Sequence, residues 1–164
     1  DLCLDLSPGM GYANEMRILP LLAALVLSSC GYVSFGRKVS DDELRLRSDV
    51  RAYYDEVVLA FAAGNADALT MLFDGAIAKP MTREQIAAWG KDFFGKHGGA
   101  SFKIDSIEYE RLGFENAVVL LTYHVETKDG KGNFGGTERD YLVKRGRRWI
   151  MTSWEKAEGP KPAP

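Results

Sequence analysis

The chain has 164 residues, 21 Lys+Arg against 23 Asp+Glu for a formal charge of −2, two cysteines and two histidines. Charge this balanced argues against a nucleic-acid surface, which needs a basic face. Two histidines rule out a His-rich zinc site, and two cysteines rule out a disulfide scaffold.

Residues 1–15 (DLCLDLSPGMGYANE) are mixed and acidic and read as an upstream extension, to be set aside in fold reasoning. The pattern sharpens from Met16. Met16 and Arg17 make a short cationic start, and Ile18 to Leu27 form a ten-residue apolar run broken only by Pro20. A cationic start, ~7–15 apolar residues and a small-residue cleavage point describe a secretory signal. A spanning helix needs ~20 apolar residues, so this run is too short to cross a bilayer. The ending, Leu27-Ser28-Ser29-Cys30, resembles the lipobox of bacterial lipoproteins. The resemblance implies that the Cys30 thiol takes diacylglycerol, that residues 16–29 are cut away, and that the new amino terminus is acylated. One acyl chain gives only marginal membrane binding, which is why several chains on one residue make a durable anchor. Gly31 stands where an aspartate would retain such a protein at the inner membrane. The cell envelope, at the periplasmic face of the outer membrane, is therefore the expected location. The alternatives are an ordinary signal peptide, or a buried apolar segment that ends in cysteine.

Cleavage before Cys30 leaves 135 residues, the size of one domain. A chain of that length buries about two-thirds of its unfolded surface. Removing Arg17 from the basic side and Asp1, Asp5 and Glu15 from the acidic side leaves 20 of each. Cys3 lies upstream and Cys30 is assigned to lipid. The exported part then has no disulfide and no thiolate ligand, and no metal or cofactor is expected.

Residues 30–40 carry the lipid and a short polar tether. Ser40-Asp41-Asp42-Glu43 opens a helix with a capping box. Leu44, Val50, Tyr53, Val57 and Phe61 recur at helical spacing, with Tyr54 and Val58 widening the stripe. Gly64 ends this helix, and Asn65 or Asp67 caps a short second one carrying Leu69, Leu72 and Phe73. Residues 77–81 are expected to be extended, because Pro80 disfavours helix before it. Thr82-Arg83-Glu84-Gln85 opens a third helix with Ile86, Trp89 and Phe93 on one face, ending at His97-Gly98-Gly99. The period then changes to two. Four strands are predicted over 102–110, 116–127, 137–144 and 148–156, with turns at Gly113, Asp129-Gly130 and Gly146. Helices first and strands after predict an α+β domain over 41–158: N-terminal helices packed on a curved antiparallel sheet. The proline-rich tail, 159–164, is expected to be loose.

This order resembles the nuclear transport factor 2-like superfamily, with its steroid isomerase-like and polyketide cyclase-like members. The resemblance rests on the helix pair around Tyr53-Tyr54 and Ala63-Gly64-Asn65, on Arg83 to Trp89, and on Arg148-Trp149-Ile150-Met151 with Trp154-Glu155. It implies a cone in which a bent sheet wraps a long helix and leaves a pocket. The family's isomerases use an aspartate base before a proline, tyrosine donors and a second, protonated aspartate. Here Lys79 occupies the base position before Pro80, and the tyrosine positions fall on Val57, Phe73 and Gly90. Only Asp140 matches an acidic member, so isomerase chemistry by that scheme lacks its base and donors.

Other residues offer chemistry. His124 lies in an otherwise apolar strand, with Tyr123, Glu126, Glu138 and Asp140 near in sequence. A His124–Asp140 pair would make a small-molecule isomerase or hydrolase, while a hydrogen-bonded structural histidine is the plainer alternative. Asp74 reads as a turn residue or as a pocket acid. Lys144-Arg145-Gly146-Arg147-Arg148 reads as a solvated hairpin turn or as a contact for anionic lipid headgroups. The leading expectation is a non-catalytic pocket lined by Trp89, Phe93, Tyr123 and Trp154 that binds a small apolar ligand or a protein partner. The expected partners are the membrane through the lipid anchor and a second copy through the sheet; nucleic acid is not among them. A structural adaptor in an envelope complex is the other alternative, and it would show an apolar patch on the open sheet.

Overall fold

A computed structural model describes residues Val39–Glu158. Cys30, the apolar run before it and the tail 159–164 lie outside the described residues. The first helix, α1 (Asp41–Ala63), starts where Ser40 accepts a hydrogen bond from the Glu43 amide and three acidic residues fill the first turn, favourably placed on the helix dipole. Its buried stripe is Leu46, Val50, Tyr53, Tyr54, Val57, Ala60 and Phe61. Leu46, and not the 54% exposed Leu44, begins that stripe, because the 46–50–53–57 spacing follows one face while 44 lies off it. Gly64 terminates the helix at φ 61°, and its amide bonds back to Ala60 and Phe61.

Helix α2 (Ala66–Thr70) is capped by the Asn65 side chain on the Ala68 amide. It is shorter than its apolar pattern suggests, since Leu72 and Phe73 follow it in a turn. Phe73 makes an isolated parallel bridge to Met151, so the loop is tied to the sheet. The next segment, 74–82, forms turns and bends and no strand, although Ile77 is buried within it. Helix α3 (Arg83–His97) carries the full capping box of Thr82 and Gln85.

Four strands follow, β1 (Ala100–Leu112), β2 (Asn116–Thr127), β3 (Phe134–Arg145) and β4 (Arg148–Lys156), and they pair in chain order as an antiparallel meander. The α+β architecture is as the sequence predicts, a run of helices and then an open curved sheet. Strands β2 and β4 have the predicted bounds, while β1 and β3 extend further at both ends. Bulges in β1, at Ile104/Ser106 and Tyr109/Arg111, and between β3 and β4 at Tyr141/Leu142 interrupt the register and bend the strands. The β2–β3 turn is fastened at Asp129, whose carboxylate accepts from Thr127 and meets His97 at 3.1 Å. The Thr127 hydrogen bond first, then the Lys131 amide and His97, hold its pKa at about 2.

Strand alternation separates two faces. On β2, Val119, Leu121, Tyr123 and Val125 turn toward the helices, and Val119 and Val125 are sealed from solvent. On β3, Glu138, Asp140 and Leu142 share that inner face. The core lies between this face and α1, with Phe61 touching Phe93, Phe94 and Phe102 at ring separations of 5.0–6.2 Å. Among the described residues no helix is long and apolar enough to cross a membrane.

Candidate functional site

The concave side of the sheet does not close completely on the helices. It leaves a cavity of about 210 Å³. Helix α1 contributes Tyr53, Tyr54, Val57 and Phe61; β2 contributes Leu121 and Tyr123; β3 contributes Phe134, Glu138 and Asp140; and β4 contributes Met151 and Trp154. Ile86 and Trp89 of α3, Phe102 of β1, Leu69 of α2 and the loop residues Phe73 and Met81 complete the wall. Nine of these seventeen residues are aromatic, which makes the cavity a stacking surface more than an aliphatic hole. Phe102 stacks on Tyr123 at 4.8 Å and Phe73 leans on Trp154 at 5.5 Å. Trp89 and Phe134, each 37% exposed, meet edge to face at 6.0 Å.

One end of the cavity is polar. Tyr54 Oη donates to Asp140 Oδ2 at 2.8 Å, and Tyr123 Oη donates to Glu138 Oε2 at 3.3 Å. Asp140 is wholly buried, and its Oδ1 has no protein partner. Tyr53 Oη is buried and unpartnered as well. Burial raises the Asp140 pKa well above the carboxylate range, and the neighbouring Glu138 charge adds to the rise. Glu138, half-buried, is pushed up to about 7 by desolvation, against the Tyr123 hydrogen bond that favours its charge. Burial and these acids also push the Tyr53, Tyr54 and Tyr123 hydroxyls up, so they remain donors at neutral pH.

Three of the four expected lining residues, Trp89, Tyr123 and Trp154, do line the cavity. Phe93 does not: it is buried behind Trp89, stacked on it at 5.1 Å. His124 and Asp140 are not brought together. His124 follows Tyr123 on the strand, so it turns to the outer face, where Nδ1 lies 3.0 Å from Asp105 and Nε2 3.7 Å from Glu126. Of the positions matched to the isomerase tyrosines, Val57 and Phe73 reach the wall, whereas Gly90 packs on Ala66. The tyrosines that α1 brings to the cavity are Tyr53 and Tyr54, one turn before Val57. Lys79 lines an adjoining open depression with Lys156, outside the cavity. Asp74 accepts from the Ala76 amide at 2.8 Å, the turn role. The cations around Gly146 face acids: Lys144 meets Asp49 at 2.9 Å, Arg148 meets Glu56 at 2.7 Å and Arg145 lies 3.5 Å from Asp74. Among the described residues no three His, Cys, Asp or Glu side chains gather as a metal site.

Sequence reasoning passed over Tyr53, Tyr54 and Glu138 as site residues. The signal was there for Glu138, because residues two apart on a strand share a face, so Asp140 carries Glu138 with it.

Neither a family model nor a curated protein matches this sequence. Solved structures do match. Bd1075 of Bdellovibrio bacteriovorus is similar over 74% of this chain at 13% identity and a TM-score of 0.61; the match spans only 44% of that protein. A domain of unknown function with a cystatin-like fold from Nostoc punctiforme matches 72% of this chain and 80% of its own, at 14% identity and a TM-score of 0.53. An NTF-2 like protein of unknown function from Shewanella oneidensis matches 66% of this chain and 95% of its own, at 17% identity and a TM-score of 0.52. At these identities the likeness is one of fold: helices over a curved antiparallel sheet, as in nuclear transport factor 2-like and cystatin-like proteins.

Proposed function

We propose that this domain binds a small, largely apolar molecule, and that an acylated Cys30 tethers it to the bacterial envelope. The observation that carries the binding reading is the cavity itself, an aromatic-walled space of about 210 Å³ with its few polar groups collected at one end. Ligand sites are built this way, mostly apolar with a small number of placed polar groups that fix orientation. The tether reading rests on the Met16–Cys30 pattern alone. Binding is tested by titrating the protein with small alkylbenzenes and following tryptophan emission, since Trp89 and Trp154 are in the wall. Saturable binding that Val57→Phe weakens tenfold or more is expected; no saturation with any of them overturns the reading. Mass spectrometry of the membrane-purified protein tests the tether. An unacylated chain that retains residues 16–29 overturns it and leaves the pocket standing.

One observation favours a catalytic second reading. A cavity carboxyl that titrates near 7, Glu138, is suited to general acid–base work beside Asp140. Turnover of a bound compound that disappears in Glu138→Gln would establish it; bound compounds recovered unchanged remove it.

A further inference from the structure

The wall of the cavity holds two acids and no counter-charge for them. Among the residues of the wall there is no lysine, arginine or histidine. An unpaired buried charge is costly, so a buried acid either takes a cation or keeps its proton, and the raised pKa values of Asp140 and Glu138 are the second case. Here Asp140 is sealed from solvent, with one oxygen held by Tyr54 and the other, Oδ1, unpartnered; the buried Tyr53 hydroxyl nearby is unpartnered too. A polar group left unmatched in a buried wall implies something that matches it.

We propose that the cavity takes an organic cation, a protonated arylalkylamine, with its ammonium head among Asp140, Glu138 and Tyr53 and its aromatic body between the rings. This rests on the pocket-binding reading above and names its ligand class. An ammonium has three N–H donors and no acceptor, which suits a cluster of carboxyl oxygens and a hydroxyl. The faces of Trp154, Tyr123 and Phe73 attract a cation, an effect that strengthens out of water. A hydrocarbon of the same shape would fill the space and leave Asp140 Oδ1 and Tyr53 Oη without partners. An organic anion would meet two acids.

The charge accounting gives binding a direction with pH. The titratable groups that face Glu138 are Asp140 on its own strand, Tyr123 on β2, and Tyr53 and Tyr54 on α1; Trp154 of β4 is neutral. Lys156, its register partner on β4 and so on the same face, and Lys79 line the adjoining open depression, which Glu138 also borders. An arriving ammonium favours the ionised carboxyl, so Glu138 releases its proton to solvent as the cation enters.

The test uses three probes on the whole protein by calorimetry: 2-phenylethylammonium, the neutral n-propylbenzene and the anionic 3-phenylpropionate. The ammonium is expected to bind at least tenfold tighter than the hydrocarbon near pH 8. With one proton released at a pKa of about 7, its affinity should rise about 30-fold between about pH 5.5 and about pH 8. Titrations in two buffers of different ionisation heat should count close to one proton released near pH 6. Glu138→Gln should abolish the pH dependence and cut the preference for the ammonium over the hydrocarbon about tenfold; Asp140→Asn provides the second variant should the first fail to fold. Binding of the hydrocarbon or the carboxylate in preference to the ammonium overturns the cation reading and leaves the pocket intact. No binding of any of the three overturns both.

Discussion

The two faces of the sheet use the same residue types and reach opposite electrostatic outcomes. On strand β3, Glu138 and Asp140 turn inward and Arg139 and Tyr141 turn outward. The inner acids have aromatic neighbours and no cation in the cavity wall, and their carboxyls are pushed up. Outside, Arg139 reaches Glu110 at 2.7 Å and Glu155 at 3.0 Å, Tyr141 donates to Glu155 at 2.9 Å, and both glutamates are held below their ordinary range by the Arg139 hydrogen bonds. A one-residue step along a strand changes which effect dominates, because it exchanges desolvation for a solvated ion pair. The outer face is thus an ordinary charged surface. Among the described residues, the large exposed apolar side chains Leu44, Leu59, Met71 and Trp89 are on or beside the helices, Phe114 is in the β1–β2 turn, and Phe134 begins β3 at the cavity.

The largest expected effect sharpens this contrast with two adjacent leucines. Leu121 is 2% exposed on the inner face, and Leu120 is half-buried on the outer one. Truncating a buried leucine removes its transfer energy and leaves a cavity, so Leu121→Ala should cost about 2–4 kcal/mol in urea unfolding. Leu120→Ala should cost less than half of that. Equal losses would mean that the two faces are packed alike.

The pH profile of stability comes next. Glu138 titrates at about 7 folded against 4.5 as an ordinary glutamate, so the folded state holds the proton that the unfolded chain has lost between those values. The contribution of Glu138 to the unfolding free energy must therefore fall as pH rises from about 4.5 to about 7 and level off above. Glu138 supplies at most about 3 kcal/mol of that fall, and less in practice because part of its side chain meets solvent. Asp140, raised in the same sense, adds to it. Urea melts of the ligand-free protein at about pH 5 and about pH 8 measure the drop, and Glu138→Gln should remove its share. A stability that rises across this interval would show that the inner acids are compensated like the outer ones.

Much of the frame was legible in the sequence for reasons that are local. Capping at Ser40 and Thr82, the glycine stop at Gly64 and the change of period after Gly99 all depend on neighbours within four residues, and each is where the pattern put it. The site was only partly legible. Aromatic residues repeated along one helix or strand face favour turning inward, so Trp89, Tyr123 and Trp154 were readable as wall; choosing between wall and core was not possible for Phe93, whose fate is decided by Trp89 stacking over it. The acids were harder. Asp140 sits 86 residues from the Tyr54 hydroxyl that holds it, and no spacing rule reports such a contact. The His124–Asp140 pairing failed on parity, since an even step from 124 to 140 crosses a strand exchange: Asp140 pairs with Val119, which shares its face with Tyr123, not His124.

The smallest expected effects lie on the outer face, and they decide whether the site is confined to the inner one. Arg139→Ala removes a bridge between two exposed glutamates, which water and salt screen strongly. Its loss of thermal midpoint should be the least of the series and should fade as salt is raised. His124→Gln removes the contact with Asp105 and touches nothing in the cavity wall, so the affinity for 2-phenylethylammonium should stay within about twofold of the parent at every pH, while Glu138→Gln lowers it. The comparison matters because a pH-dependent affinity alone would not say which of the two side chains is responsible. If His124→Gln flattened the pH profile instead, the proton released on binding would come from the outer face, and a field acting through the sheet would have to replace direct contact.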